Sequence, residues 1–395
     1  MSELEMNQEQ IKVDLNHYVF TGGEEETLED VTQVPQKDRE QLLMAGVDVS
    51  QKDRSGTFLQ FDHAKVHCSS CQPGVEVLGI NEALEKYNGL PEYFWKAMDK
   101  DQDDFTRASA AQATCGGYFI RTEKGAKVTE PVQSCLFIKG ENTGQNVHNI
   151  VVVEEDSEVH IITGCATSHD VVSAMHLGIS EIYIKKGGRL TFTMIHNWGE
   201  DVIVRPRTVG IVEENGVLLN NYILLNKVKS VESYPTIYLN GRGAVARFNS
   251  VIVTPEGSHV DTGNRIVLNA PDTRGEIISR AITTGGVNIA RGEIVGTAVP
   301  AKGHLECKGL ILGDGVIHAI PELKGTRTGV ELSHEAAVGK IAQEEIEYLM
   351  ARGLDEDEAT STIVRGFLNV DIMGLPTELK DAIDKTIAEH EGEMF

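Results

Sequence analysis

The spacing of apolar and polar positions changes character twice along this chain. Residues 1–115 are mixed. In QKDREQLLMAG (36–46), Leu42, Leu43 and Met44 follow a charged turn and the run stops at Gly46, which predicts a short helix. NEALEKYNGLPEYFWKAMDK (81–100) carries Leu84, Tyr87, Tyr93, Phe94, Trp95 and Met98 around a break at Gly89-Leu90-Pro91, which predicts two short helices joined by a turn.

From 116 to about 325 short β-rich runs recur, among them YFIRT, SCLFI, EVHIIT, EIYIKK, RLTFTMI, PTIYL, NRIVLNA and LILG, separated by Gly, Asn, Asp or Lys pairs. Helical periodicity is nearly absent there, apart from SHDVVSAMHLG. GGRLTFT, GRGAVARFN, TRGEIISRA and ARGEIVGTA share one degenerate Gly-x-(small or charged)-apolar pattern, which favours stacked coils of a β-solenoid, with a β-sandwich as the alternative.

After 333 the period becomes helical. In HEAAVGKIAQEEIEYLMARG (334–353), Val338, Ile341, Ala342, Ile346, Leu349 and Met350 share one face, and Gly353 ends the run. Asp355 with Glu358 three places on forms a capping-box pattern before Ala359, Ile363, Val364 and Phe367. A last helix is expected after Pro376-Thr377, with Leu379, Ile383 and Ile387 spaced by four. The pattern divides the chain into a partly helical N-terminal region (1–115), a β core (116–332) and a helical C-terminal region (333–395). The C-terminal stripes either pack on the β core or form a docking face for another protein.

Charge narrows the choice of partners. The formal net charge is −24 over 395 residues, which excludes nucleic acid as the main partner and disfavours anionic lipid. The acidic, polar start and the lack of a long apolar run predict neither signal peptide nor spanning helix, and so a cytoplasmic protein. No GxxxxGK[ST] sequence occurs, so no ATPase activity of its own is expected. Six cysteines, Cys68, Cys71, Cys115, Cys135, Cys165 and Cys307, should be free thiols in a reducing compartment. Cys115 and Cys135, among apolar or small residues in predicted strands, read as packing residues. HCSSC (67–71), with His63 upstream, has metal-ligand spacing but no second CxxC, leaving a redox pair, a ligand pair or half of an intersubunit site open. His148, His160, His169, His176 and His196 read as ordinary satisfied histidines, and Asn197-Trp198 as packing.

Several stretches resemble one known family. GGYFIRTEKGAKVTEPVQSCLFI (116–138), ITGCATSHDVVSAMHLGISEIYIKKGGRLTFTMIHNWGEDV (162–202), LECKGLILGDGVIHAIPELKGTRTGVELSHEAAVGKI (305–341) and MARGLDEDEATSTIVRGF (350–367) are similar, in order, to SufB/SufD-type proteins. The resemblance covers roughly 116–370. It implies a right-handed parallel β-helix followed by helices, and a scaffold for transient iron–sulfur clusters rather than an enzyme. It further implies pairing with a second SufB/SufD-type chain, here as a homodimer, and docking of a SufC-like ABC-type ATPase on the C-terminal helices. A sulfur donor and apo-protein acceptors complete the partner set.

Within that resemblance Cys307 matches the cluster-site thiolate, the soft ligand iron needs. His334 and Glu335 stand where the family completes the site. Ser333 replaces a carboxylate of SufB-type chains, so the turn combines SufB-type and SufD-type features; Ser333 could instead cap a helix. Cys165 matches the position that receives sulfur before it moves through the β-helix. Two other readings stay open: a SufD-like structural partner that docks the ATPase without holding a cluster, and a β-helix enzyme acting on polysaccharide.

Overall fold

The computed structural model describes residues 13–20, 27–112 and 115–368. Its body is a parallel β-solenoid with two faces, each a ten-stranded sheet among the described residues. On the first sheet Glu158–Thr167, Arg189–Asn197, Val217–Leu224, Val245–Thr254, Thr273–Thr283, Ala301–Ile311 and Val330–Gly339 stack in that order. The second sheet includes Gly144–Val153, Ser173–Ile184, Asp201–Val212, His259–Leu268, Val287–Gly296 and Val316–Gly325. The chain alternates between faces, so each strand pairs in parallel with one a full coil away. Arg189 pairs with Val217, Val217 with Val245, and Val245 with Arg274, offsets of 28, 28 and 29 residues.

Alternation decides which residues make the core. Leu190, Phe192, Met194 and His196 face inward on one strand; Leu218, Asn220, Tyr222 and Leu224 stack on them from the next. The resulting core runs unbroken from Phe58 and Tyr118 through Phe248 and Ile277 to Leu305. The first sheet is also apolar on part of its outer face. Ile162, Ile195, Ile223 and Val251 lie there beneath Val364 and Leu368 of the helix Glu356–Leu368. That second burial explains why these strands read as continuous apolar runs.

The N-terminal region joins the solenoid. Gly56–Phe61 pairs in parallel with Val132–Ile138 and carries Ala64–Ser70 as an antiparallel edge, while Val75–Gly79 pairs antiparallel with Tyr118–Thr122. The helix predicted over 36–46 is present as Gln36–Met44. Of the two helices read in 81–100 only Ile80–Lys86 forms. Residues 91–98 instead make turns held by one buried carboxylate. Glu181 accepts from the backbone N–H groups of Lys96, Ala97 and Met98 at 2.8, 2.6 and 3.0 Å, and from that of Trp95. Four oriented amides around a carboxylate outweigh weak local helix propensity.

At the other end the sheet does not stop at 332. Residues 330–339 form the last strand of the first sheet, pairing Leu305 with His334 and Cys307 with Ala336. The Ala-rich LSHEAAVGK run, read as the entry to a helix, is strand because a preformed sheet edge offers it a full ladder. Helix begins only at Gln343–Met350. Ser333 therefore caps no helix; a hydrogen bond joins its hydroxyl to His304 Nδ1 at 2.9 Å. Asp355 does make the predicted reciprocal pair with Glu358, at 2.8 and 3.0 Å. The helix expected after Pro376 lies outside the described residues. Val316–Gly325 and Val330–Gly339 end their sheets without an outer partner among the described residues, leaving Val316, Leu323 and Val338 36%, 39% and 41% exposed.

Candidate functional site

Two of the candidate thiols face the solenoid interior. Cys165 is 1% exposed and Cys307 2%, and both belong to the central core. Glu158–Thr167 approaches the end of the helix Gln36–Met44 so closely that a Cβ on Gly164 would meet the Ala45 carbonyl oxygen at 2.4 Å. Glycine there leaves room for Ala45 on the outer face, while alternation along the strand turns Cys165 inward. Around it Thr163 Oγ1 bonds Tyr118 OH at 3.0 Å and Ser134 Oγ at 2.8 Å.

On the next coil His196 stacks in register on Cys165. Tyr222 OH lies 2.9 Å from His196 Nδ1, and Gln145 Oε1 lies 2.9 Å from His176 Nδ1. Both imidazole rings contact Trp198. Burial pushes the Cys165 thiol well above its ordinary range and pushes His176 and His196 down to about 3. A hydrogen bond joins neutral His196 to the Tyr222 hydroxyl. His176 and His196 are thus the satisfied histidines expected. Trp198 is packed but its indole N–H has no partner among the described residues.

A single inward row leads from this cluster to Cys307. Thr163 pairs with Met194, Met194 with Tyr222, Tyr222 with Ser250, Ser250 with Ser279, and Ser279 with Cys307. Beside it lies a cavity of about 40 Å³, lined by Tyr222, Ser250 and Ser279 from one sheet and Thr208, Ser233 and Thr262 from the other. Burial, and then Glu306, pushes the Cys307 thiol up to about 11.

The three candidate ligands do not converge. Cys307 is inward and one coil from the open end. His334 is exposed on the last strand, opposite Leu305, on the same face by alternation. Glu335 has the opposite parity and lies outside, where Lys308 reaches it at 3.8 Å and Glu306 at 3.2 Å. Among the described residues no three His, Cys, Asp or Glu side chains are grouped to hold a metal ion.

HCSSC is split in the same way. Cys68 packs against the central core and donates to Val77 O at 3.2 Å, its thiol pushed up to about 11 by burial. Cys71 is exposed and 3.9 Å from Ser69 Oγ, whose hydroxyl also meets His67 Nε2 at 3.1 Å. His63 is bound elsewhere, to Gly144 O. Cys135 is buried in a separate apolar cluster, and Cys115 donates to Gly116 O at 3.3 Å. The sequence reading missed the Glu181 clamp, whose carboxylate also meets His148 Nε2 at 2.9 Å. It had no local signal, since its partners lie some eighty residues away in sequence.

Comparison with known proteins identifies the family. Residues 136–367, more than half of the chain, match the family model "SUF system FeS cluster assembly, SufBD core domain". An "Iron-sulfur cluster assembly SufBD family protein" of Archaeoglobus fulgidus is 53% identical over 359 residues, 91% of this chain and 96% of that one. A protein of the same description from Methanothermobacter thermautotrophicus is 48% identical over 374 residues, 93% of this chain and 91% of its own. The "Iron-sulfur cluster assembly protein SufB" of Bacillus subtilis is 30% identical over 376 residues, 92% and 80% of the two chains.

Proposed function

Because the chain belongs to the SufBD family of the SUF iron–sulfur cluster assembly system, we propose that it is a scaffold on which clusters are built and from which they leave. One observation carries the reading: both thiols face the interior, and Cys307 ends an inward row that starts at Thr163, the inward residue beside Cys165, and passes Ser250 and Ser279. Sulfur from a donor enters at Cys165 and reaches Cys307, where iron takes the thiolate. The cluster is cargo, so a loose site suits it better than a closed cage. Cys307 and His334 are the ligands one chain offers from its inner face. A second copy meeting the unpaired strand ends completes the site and supplies the remaining donors, with Glu335 reaching iron only after the end strand shifts.

Burial of both thiols fits a resting state. A thiol held protonated by burial is a poor nucleophile and ligand, so opening has to precede chemistry. A SufC-like ABC-type ATPase docked on residues 343–368 provides that opening by ATP-driven closure, in the cytoplasm, before transfer to apo-protein acceptors. Tyr348 and Met350, 57% and 40% exposed, are its apolar anchors, whereas Val364 and Leu368 are committed to the sheet.

The test is anaerobic reconstitution with ferrous iron and sulfide. The wild type should turn brown, and Cys307→Ser should stay colourless with its melting temperature unchanged. Equal iron and sulfide in that variant refutes the assignment. The SufD-like reading is favoured by the outward Glu335 and by Ser333; a colourless wild type that still binds the ATPase would establish it. The polysaccharide-enzyme reading has no supporting observation left.

A further inference from the structure

The separation of Cys165 from Cys307 poses a chemical problem. Five strand-to-strand steps separate the strands that carry the two thiols. At about 4.8 Å per step they lie about 24 Å apart. None of the four strands between them carries a cysteine. Thiol–persulfide exchange requires attack of one sulfur on another in contact. A sulfane sulfur on Cys165 therefore cannot reach Cys307 by exchange within the chain.

The lining suits a small diffusing species instead. The cavity of about 40 Å³ has room for a hydride of water-like size, and its lining mixes hydroxyls with Phe192, Met194, Pro206 and Pro235, a surface suited to a neutral, weakly polar species. Met194 and Tyr222 are the two large side chains in the row; beyond them the small Ser250 and Ser279 leave more room. Tyr222 is also tethered. Its hydroxyl is 2.9 Å from His196 Nδ1, the two rings meet edge to face at 5.1 Å, and His196 is the register neighbour of Cys165.

We propose that sulfur crosses the solenoid interior as hydrogen sulfide, and that Tyr222, held by His196, is the gate between Cys165 and the cavity that ends at Ser279, the register neighbour of Cys307. The proposal rests on the scaffold reading and on the relay between these two thiols. A small-molecule thiol releases the sulfur: Cys165–S–S⁻ and two RSH give Cys165–S⁻, RS–SR and H₂S. The persulfide S–S bond breaks, its two electrons come from the thiols as they join in a disulfide, and both thiol protons leave on H₂S. Sulfide supplied directly passes the same gate with no redox step. The neutral hydride crosses without the cost of desolvating an anion.

The experiment is an isotope chase on the full chain. In a Cys71→Ser background, which removes the exposed thiol, protein loaded with isotope-labelled inorganic polysulfide and shown by mass spectrometry to carry it on Cys165 is freed of excess, then mixed anaerobically with ferrous iron, dithiothreitol and a large pool of unlabelled sulfide. Label in the iron-bound sulfide above the bulk dilution has travelled inside. The wild type should show that excess. Tyr222→Phe, which keeps the ring and removes the tether, should deliver it several-fold faster. Tyr222→Trp should lose the excess. Equal rates in all three overturn the gate. Bulk-diluted label in the wild type overturns the interior route and leaves the scaffold reading standing. A wild type that forms no iron–sulfur species under any sulfide supply removes the scaffold reading, and this proposal with it.

Discussion

Two interior imidazoles should make this fold acid-sensitive well above the carboxylate range. His176 and His196 are 3% and 2% exposed. Burial pushes both down to about 3, and for His196 the neighbouring His176 adds to it. The groups that hydrogen-bond or stack on the two rings are Gln145, Trp198 and Tyr222, with no carboxylate among them to hold a positive charge. An unfolded chain takes up each proton near pH 6.5, whereas the fold refuses it until about 3. The folded value is the depressed one, so stability is complete above pH 6.5 and is lost as pH falls from there toward 3. The slope is about 1.4 kcal/mol per pH unit for each imidazole. Between pH 7 and pH 5 each should cost about 2 kcal/mol, and the pair about 4 kcal/mol. Urea unfolding at the two pH values measures this. His196→Gln keeps an acceptor for Tyr222 and cannot titrate, so its loss between pH 7 and 5 should be smaller than the wild type's by about 2 kcal/mol. An identical loss in the two proteins refutes the reasoning, because His196 would then be protonated, or left neutral, in both folded and unfolded states.

Three further outcomes follow from the same geometry. At pH 8 iodoacetamide should modify exposed Cys71 first, while Cys307, pushed up to about 11, stays unmodified until the fold opens; mass spectrometry showing fast modification of Cys307 contradicts its burial. Glu181→Gln puts an amide N–H among donors and should lower stability by about 3 kcal/mol, with an unchanged melting temperature as the contrary result. Tyr348→Glu should abolish binding of the organism's own SUF ATPase without moving the melting temperature, whereas Val364→Glu should unfold the helix from the sheet.

The sequence disclosed the solenoid where its repeat is regular and lost it at both ends. Runs such as RLTFTMI and GEIISRAI were legible because their inward residues alternate and their turns carry Gly. LSHEAAVGK was misread because Ala and Val at helical spacing look alike in a helix and on an edge strand. What decided it was the neighbouring strand Ala301–Ile311, invisible at that range. GTFLQF and AKVHCSS escaped notice because they form a hairpin whose first strand pairs with residues 132–137, far along the chain. Cys165 and Cys307 were legible through resemblance to a family, not through spacing. Their placement on one interior face came only from the register. No pattern in the sequence indicated that Glu335 would fall on the opposite side of the sheet from Cys307, or that Tyr222 would stand between the two thiols.

From Arg189 to Val330 each coil of the first sheet climbs 28 or 29 residues, which gives the molecule a ruler. Cys165 and Cys307 belong to different coils, and the coils between them touch only their neighbours. Deleting or duplicating one whole unit between residues 245 and 300, beyond His196 and Tyr222, keeps the groups beside Cys165 and alters how far apart the two thiols stand. Their separation is therefore graduated in steps of about 4.8 Å, and neither lineage nor designer can adjust it by less without rotating every side chain onto the wrong face.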